Sequence, residues 1–157
     1  MIQKHTPDAI VQTARTWIGT PYHHQMSVKG FGTDCLGLVR GVWRDLYGAE
    51  PEQAPPYTRD WAEGSGREML LEAARRHFIE IPVDLAGSGD ILAFRWRVRY
   101  PVKHLGVLIE RHRLVHAFEG LPVTEIRLSP WWWRRVASAF RFPSHSVPTS
   151  APDQPIS

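Results

Sequence analysis

The stretch KGFGTDCLGLVRGVW, residues 29–43, holds the only cysteine of the chain. A glycine-rich approach gives way to apolar residues at helical spacing, Leu38, Val39, Val42, Trp43 and Leu46, before Gly48. That period predicts a helix from about Asp34 to Tyr47. Cys35 then stands at a helix N-terminus, where unpaired N–H groups and the positive dipole end stabilise a thiolate. Gly30, Gly32 and Gly37 let backbone approach the sulfur closely on either side. Free cysteine is also among the most buried and inert residue types. Position alone therefore leaves two readings, a nucleophile or a small buried hydrophobe.

Upstream, TPDAIVQTARTWIG (residues 6–19) predicts a first helix. Thr6 suits the N-cap and Pro7 the first helical position, with Ile10, Ala14, Trp17 and Ile18 on one apolar face and Gly19 as the stop. The loop TPYHHQMSVKGFGT joins this helix to the cysteine, and the proline-punctuated AEPEQAPPYTRDW follows the second helix. Ser65 and Glu68 have capping-box spacing ahead of MLLEAARRHF, a third helix. From Gly87 the pattern changes to short extended runs: DILAFRW, HLGVLIE, RLVHAF and TEIRLS, with RVASAFRF as a closing strand. Strands in quick succession with short connections predict an antiparallel meander. Helices first and strands second give an α+β domain, a sheet with the helices packed on one side. Residues 1–142 make up this domain, and the Pro/Ser-rich tail 143–157 is not expected to fold by itself.

A chain of 157 residues, 43% hydrophobic and 22% charged, suits one soluble globular domain. No apolar run approaches the roughly 18 residues of a membrane span, and MIQKHTPDAI lacks the apolar centre of a signal peptide, so synthesis in the cytoplasm without a leader is expected. One cysteine excludes an internal disulfide and a cysteine-based zinc site. The net charge of +3 suits an anionic partner, but no basic stripe or recognition motif points to nucleic acid.

A nucleophilic cysteine needs a base, usually a histidine that a third group orients. Of eight histidines, His104 and His116 stand out because each lies in a predicted strand of the same meander. If those strands are neighbours, side chains on one face come within about 5 Å. One imidazole could take the thiol proton while the other fixes its tautomer. Taken singly, each is equally a satisfied histidine in a sheet. His23 and His24 fall in the loop before the cysteine, and His5, His77, His112 and His145 read as surface or tail positions.

WIGTPYHH, GTDCLGLVRGVW, GDILAF, HLGVLI and LVHAFEG, in this order, resemble the NlpC family of papain-like cell-wall peptidases. The resemblance covers nearly all of residues 6–142 and is nearest to the branch found with phage tails and gene-transfer agents; SPWWWRRVASAFRFP also resembles the end of the phage-type members. It implies a papain-like fold with Cys35 as nucleophile, His104 as general base and His116 as the residue orienting the base. It further implies Tyr22 as a hydroxyl polarising the scissile carbonyl and Asp34 as a position meeting the substrate's amino group, beside Asp34's reading as N-cap. Leu36 stands where the common Asp-Cys-Ser-Gly motif has serine, a mark of the phage-type branch.

The implied substrate is the peptidoglycan stem peptide, most often cut between D-glutamate and diaminopimelate, with the muramoyl–L-alanine link as the alternative. No metal or organic cofactor is implied. The implied partners are phage-like tail or baseplate proteins, which could hold the C-terminal tail, and the place of action is the cell wall or periplasm. Two rivals stand beside this reading: a structural hub component with a vestigial site, and an acyltransferase on the same scaffold, against which the order Cys, His, His argues. Trp17 and Trp43 read as core. Trp131, Trp132 and Trp133 cannot all face inward, and read either as a hydrophobic lid on the sheet or as a sugar-stacking or partner-docking surface, with Arg134 and Arg135 either solvated or meeting carboxylates.

Overall fold

The computed structural model describes residues 5–52 and 68–143. Helix α1 (Pro7–Arg15) opens as its sequence requires: the Thr6 hydroxyl accepts from the Ala9 N–H, and Pro7 takes a place where no N–H is needed. Ile10, Val11 and Ala14 are buried together with Trp17. Ile18, expected on this face, is 44% exposed. The helix ends at Arg15 and residues 16–19 form a turn closed by Gly19 at φ +94°, so the 3.6-residue period does not carry on to Ile18.

The loop that follows contains a small hairpin, β1 (Ser27–Val28) with β2 (Gly32–Thr33). Helix α2 (Cys35–Tyr47) then runs from the Asp34 cap to Gly48, whose φ of +94° ends it. Its buried face is Leu38, Val39, Val42 and Trp43, against α1 and the sheet. Gly41 is needed where the helices cross, since a Cβ there would stand 2.0 Å from the Trp17 indole. That indole is pinned from its other end, where Nε1 donates to Asp45 at 3.0 Å. Helix α3 (Met69–His77) buries Leu70 and Leu71 in the same core. Ser65 lies outside the described residues. The cap residue is Glu68, which makes no side-chain bond to the helix; its carboxylate accepts from Arg95 and from the Val102 N–H.

Six strands follow: β3 (Ile79–Ile81), β4 (Ile91–Phe94), β5 (His104–Glu110), β6 (Arg113–His116), β7 (Thr124–Arg127) and β8 (Val136–Arg141). They form one antiparallel sheet in the order β3-β8-β4-β5-β6-β7. The meander from β4 to β7 is the predicted one; β8 returns to pair with β4, and β3 extends the sheet beyond it. Strand β3 carries no sequence signal because it is three residues long, at the edge, with Ile79 exposed.

Both faces of the sheet are covered, so β4 and β5 read as nearly unbroken apolar runs rather than alternating ones. Ile91, Ala93, Leu105, Val107 and Val115 face the core shared with α1, α2 and α3. Leu92, Phe94, Leu108, Leu114 and Ala139 form a second core on which Trp132 and Trp133 of the short α4 (Pro130–Trp133) pack. The three predicted helices pack on one side as expected, and the short α4, which the sequence reading did not place, closes the other face. The three tryptophans diverge. Trp132 packs inward, Trp133 hydrogen-bonds His112 and stacks under Arg111, and Trp131 is 44% exposed beneath Arg135. Among the described residues no helix is long and apolar enough to cross a membrane. The tail from residue 144 onward lies outside them.

Candidate active site

The segment before α2 is folded around one carboxylate. Asp34 is buried, with Oδ1 accepting from the Gly37 N–H and Oδ2 from the Gln25 N–H, each at 2.7 Å. Gln25 is the only non-glycine residue at positive φ (66°) among the described residues, and this bond holds it there. His24 Nδ1 lies 3.8 Å from Oδ2 of the same carboxylate. Thr33 accepts from the His23 N–H and donates its own N–H to Pro21, which bridges Tyr22 to the strand leading into Cys35. Gly37 completes the packing: a Cβ there would meet the Met26 carbonyl oxygen at 2.1 Å. Asp34 is therefore the N-cap that its sequence position allows, with both oxygens engaged. His5, expected at the surface, is half-buried against Tyr47, and burial lowers its pKa.

Cys35 is the first residue of α2 and partly exposed. Its thiol donates to the Lys103 carbonyl at 3.8 Å, and the Leu105 amide also reaches the sulfur. Cys35 therefore lies against the backbone on either side of His104, at the start of β5. Burial, and after it the charge of Asp34, push the thiol up to about 12. The amides of Leu105, Leu36 and Cys35 pull the other way and lose. The amides at the helix terminus act in the direction expected of them, but burial first and the neighbouring Asp34 second outweigh them, and the thiol is raised.

His104 stands opposite Phe94 on β4, and His116 opposite Gly106 on β5. The two histidines are thus diagonal neighbours on adjacent strands. His104 Nε2 and His116 Nδ1 are 2.8 Å apart, with ring centroids at 5.0 Å. Leu114 packs against Gly106, where a Cβ would meet it at 2.7 Å. Both imidazoles are buried. Burial, helped by His116, holds His104 well below 6.5, and burial alone takes His116 to about 4. Both are neutral in the resting state near pH 7.

An aromatic enclosure escaped the sequence reading. Trp96 stacks on His104 with centroids 5.4 Å apart and planes 25° from parallel, and Phe94 and Phe118 stand at 5.6 and 5.5 Å. Trp132 meets His116 edge-on at 5.4 Å. The available signal was that Trp96 and Phe118 each follow a β4 or β6 strand by two residues, keeping the face of Phe94 and His116. Beside the enclosure is a pocket of about 360 Å³ lined by Trp96, Arg97, Tyr100, Pro101 and Lys103. Among the described residues no group of three or more His, Cys, Asp or Glu is placed to hold a metal ion.

No family model matches the chain. A curated relative, the gamma-DL-glutamyl hydrolase of Bacillus subtilis (strain 168), is 26% identical over 145 residues. That match covers 91% of this chain but 31% of the relative, so the chain spans about a third of that protein. The NlpC/p60 domain of the peptidoglycan hydrolase SagA superposes with a TM-score of 0.59 at 22% identity, over 87% of this chain and 99% of that one. An NlpC/p60 family protein of Bacillus cereus ATCC 10987 gives a TM-score of 0.63 at 20% identity, over 90% of this chain and 41% of that one. The fold is the NlpC-type papain-like α+β fold that the sequence motifs resemble.

Proposed function

We propose that this chain is a cysteine peptidase that hydrolyses an amide bond in the stem peptide of peptidoglycan. The observation that carries the reading is the alignment of Cys35, at the head of α2, with the backbone bearing His104, whose ring is itself hydrogen-bonded to His116. With His104 Nε2 donating to His116 Nδ1, the other ring nitrogen of His104 keeps a lone pair and serves as the base. Cys35 Sγ attacks the carbonyl carbon as its proton passes to His104. The oxyanion is met by N–H groups at the start of α2, with the Tyr22 hydroxyl as a further donor. His104 then protonates the leaving amine, and water hydrolyses the thioester with His104 again as base.

The bond we propose is that between D-glutamate and diaminopimelate, because the curated relative is by name a gamma-DL-glutamyl hydrolase, which favours a γ-glutamyl link over the muramoyl–L-alanine link. We also propose action at the cell wall within a phage-like tail or baseplate, a reading that the motif resemblance alone supports. Digestion of purified diaminopimelate-type peptidoglycan, with fragments read by mass spectrometry, tests the chemistry. New stem-peptide fragments from the wild type and none from Cys35→Ala are expected. Release of the same fragments by Cys35→Ala, or none by either protein, overturns the reading in favour of a structural component.

A further inference from the structure

The segment RWRVRYPVK, residues 95–103, joins β4 to β5 and carries four cations and no acid. It is built, not loose. Glu68 takes Arg95 and the Val102 N–H at the two ends of the segment, and Arg95 also donates to the Tyr100 carbonyl. The Tyr100 N–H closes a turn onto Arg97, and the Lys103 N–H returns to Phe94. Glu68 pairs with Arg95. Arg97 meets no carboxylate among the described residues; its guanidinium carbon lies 5.6 Å from the Tyr100 ring.

The pocket of about 360 Å³ that this segment forms shares two walls with the reactive groups. Trp96 is the ring stacked on His104, and Lys103 supplies the carbonyl that accepts from the Cys35 thiol. A group seated there is held next to the bond that Cys35 would attack. Aromatic walls with a cationic head suit a carboxylate on a short aliphatic arm, since the arm covers the rings and the charge meets Arg97. We infer that this pocket is a specificity site for a free carboxylate of the substrate, next to the scissile amide. The inference rests on the peptidase reading and narrows its substrate. A stem peptide whose third residue is diaminopimelate offers such a carboxylate on its side chain; one with lysine, or with amidated diaminopimelate, does not. The α-carboxylate of the γ-linked D-glutamate is the other source of the same chemistry.

Two readouts keep this inference separable from the peptidase reading. The first is calorimetric binding of L-alanyl-γ-D-glutamyl-diaminopimelate, its C-terminal α-carboxyl blocked as the amide, to the Cys35→Ala protein, which needs no catalysis. The second is cleavage of the same tripeptide by the wild type. Each is repeated with the side-chain amide of diaminopimelate and, separately, with D-isoglutamine in place of D-glutamate. Loss of a charge-assisted contact is expected to weaken binding roughly tenfold or more for whichever amidation removes the recognised carboxylate. Arg97→Gln should erase that preference, Arg97→Lys should restore part of it, and Arg99→Gln, which removes equal charge outside the pocket lining, should leave it intact. Preference retained without cleavage sinks the peptidase reading and keeps the pocket. Equal binding of all three peptides, or equal effects of Arg97→Gln and Arg99→Gln, overturns the pocket as a carboxylate site whether or not the wild type cleaves.

Discussion

Acidification should destabilise this fold through the histidine pair, and His116 allows the effect to be sized. In the unfolded chain its imidazole titrates near 6.5; in the fold, burial takes it to about 4. Between those values the unfolded chain binds a proton that the folded chain refuses, so stability falls as pH drops from 6.5 and the loss is complete near 4. Above 6.5 both states are neutral and the group contributes no pH dependence. At about 1.4 kcal/mol per pH unit, the interval is worth about 3 kcal/mol. His104 refuses its proton too and adds loss of the same sign. Urea unfolding followed by tryptophan fluorescence, at pH 7, 6, 5 and 4, would compare the wild type with His116→Gln. Glutamine keeps a polar partner for His104 but cannot titrate, so the variant should start about 1–2 kcal/mol less stable at pH 7. By pH 4 the wild type should have lost about 3 kcal/mol more than the variant, so that the order reverses and His116→Gln is the more stable by about 1–2 kcal/mol, because only the wild type carries the His116 loss. Parallel stability curves would refute the reasoning, since they would mean that His116 titrates alike in both states.

Further outcomes follow from the same geometry. Gly41→Ala should lower stability by about 2 kcal/mol or more in chemical denaturation, because overpacking against the pinned Trp17 outweighs the ~1 kcal/mol that alanine gains over glycine in a helix. A more stable Gly41→Ala protein would show that Trp17 moves freely. Asp34→Asn should cost about 1–2 kcal/mol, through its bond to Gln25, yet speed alkylation of Cys35 by iodoacetamide at pH 9, because the charge that raises the thiol is gone. Unchanged alkylation would assign the raised thiol to burial alone. Turnover of stem peptide should be slower in heavy water, since the thiol proton moves during attack; equal rates would point to an ion pair formed beforehand.

The α2 region was legible because three independent signals agree there: the period of Leu38, Val39 and Val42, the Asp34 cap, and the glycines that let Met26 and Trp17 approach. His104 and His116 were legible as a pair because the meander has short connections, although their diagonal offset depends on register, which periodicity does not reveal. Strand β3 and the second core were not legible. The first is too short to show a pattern, and in the second the covering residues of α4 lie far along the chain from the β4 and β5 residues they cover. The same distance hid Trp132 from the histidine pair. The net shift of the thiol was not legible for another reason: a helix terminus and its capping carboxylate arrive together in sequence, and burial, which periodicity does not reveal, outweighs the terminal amides.

That balance changes what counts as a sign of an active cysteine. Moving a proton from a thiol raised to about 12 to an imidazole held well below its usual range is unfavourable in the resting site. Too little thiolate then exists at neutral pH for a small alkylator to report on the site, so sluggish modification of Cys35 describes an intact centre as well as a vestigial one. The cost has to be met where the substrate is bound. In the proposed reaction the sulfur would be neutralised by forming its bond to the carbonyl carbon, with the charge passing to an oxygen within the field of the amides at the start of α2. In the proposed reaction, the same enclosure by Trp96, Phe118 and Trp132 that makes imidazolium costly in the free protein would favour return of the proton from His104 to the leaving amine. Asp34 thus need not be an obstacle to a nucleophile at position 35. It shapes the loop that presents the sulfur; in the proposed reaction the resting thiol passes its proton to His104 as the sulfur attacks, and the tetrahedral adduct then expels the amine to leave the thioester.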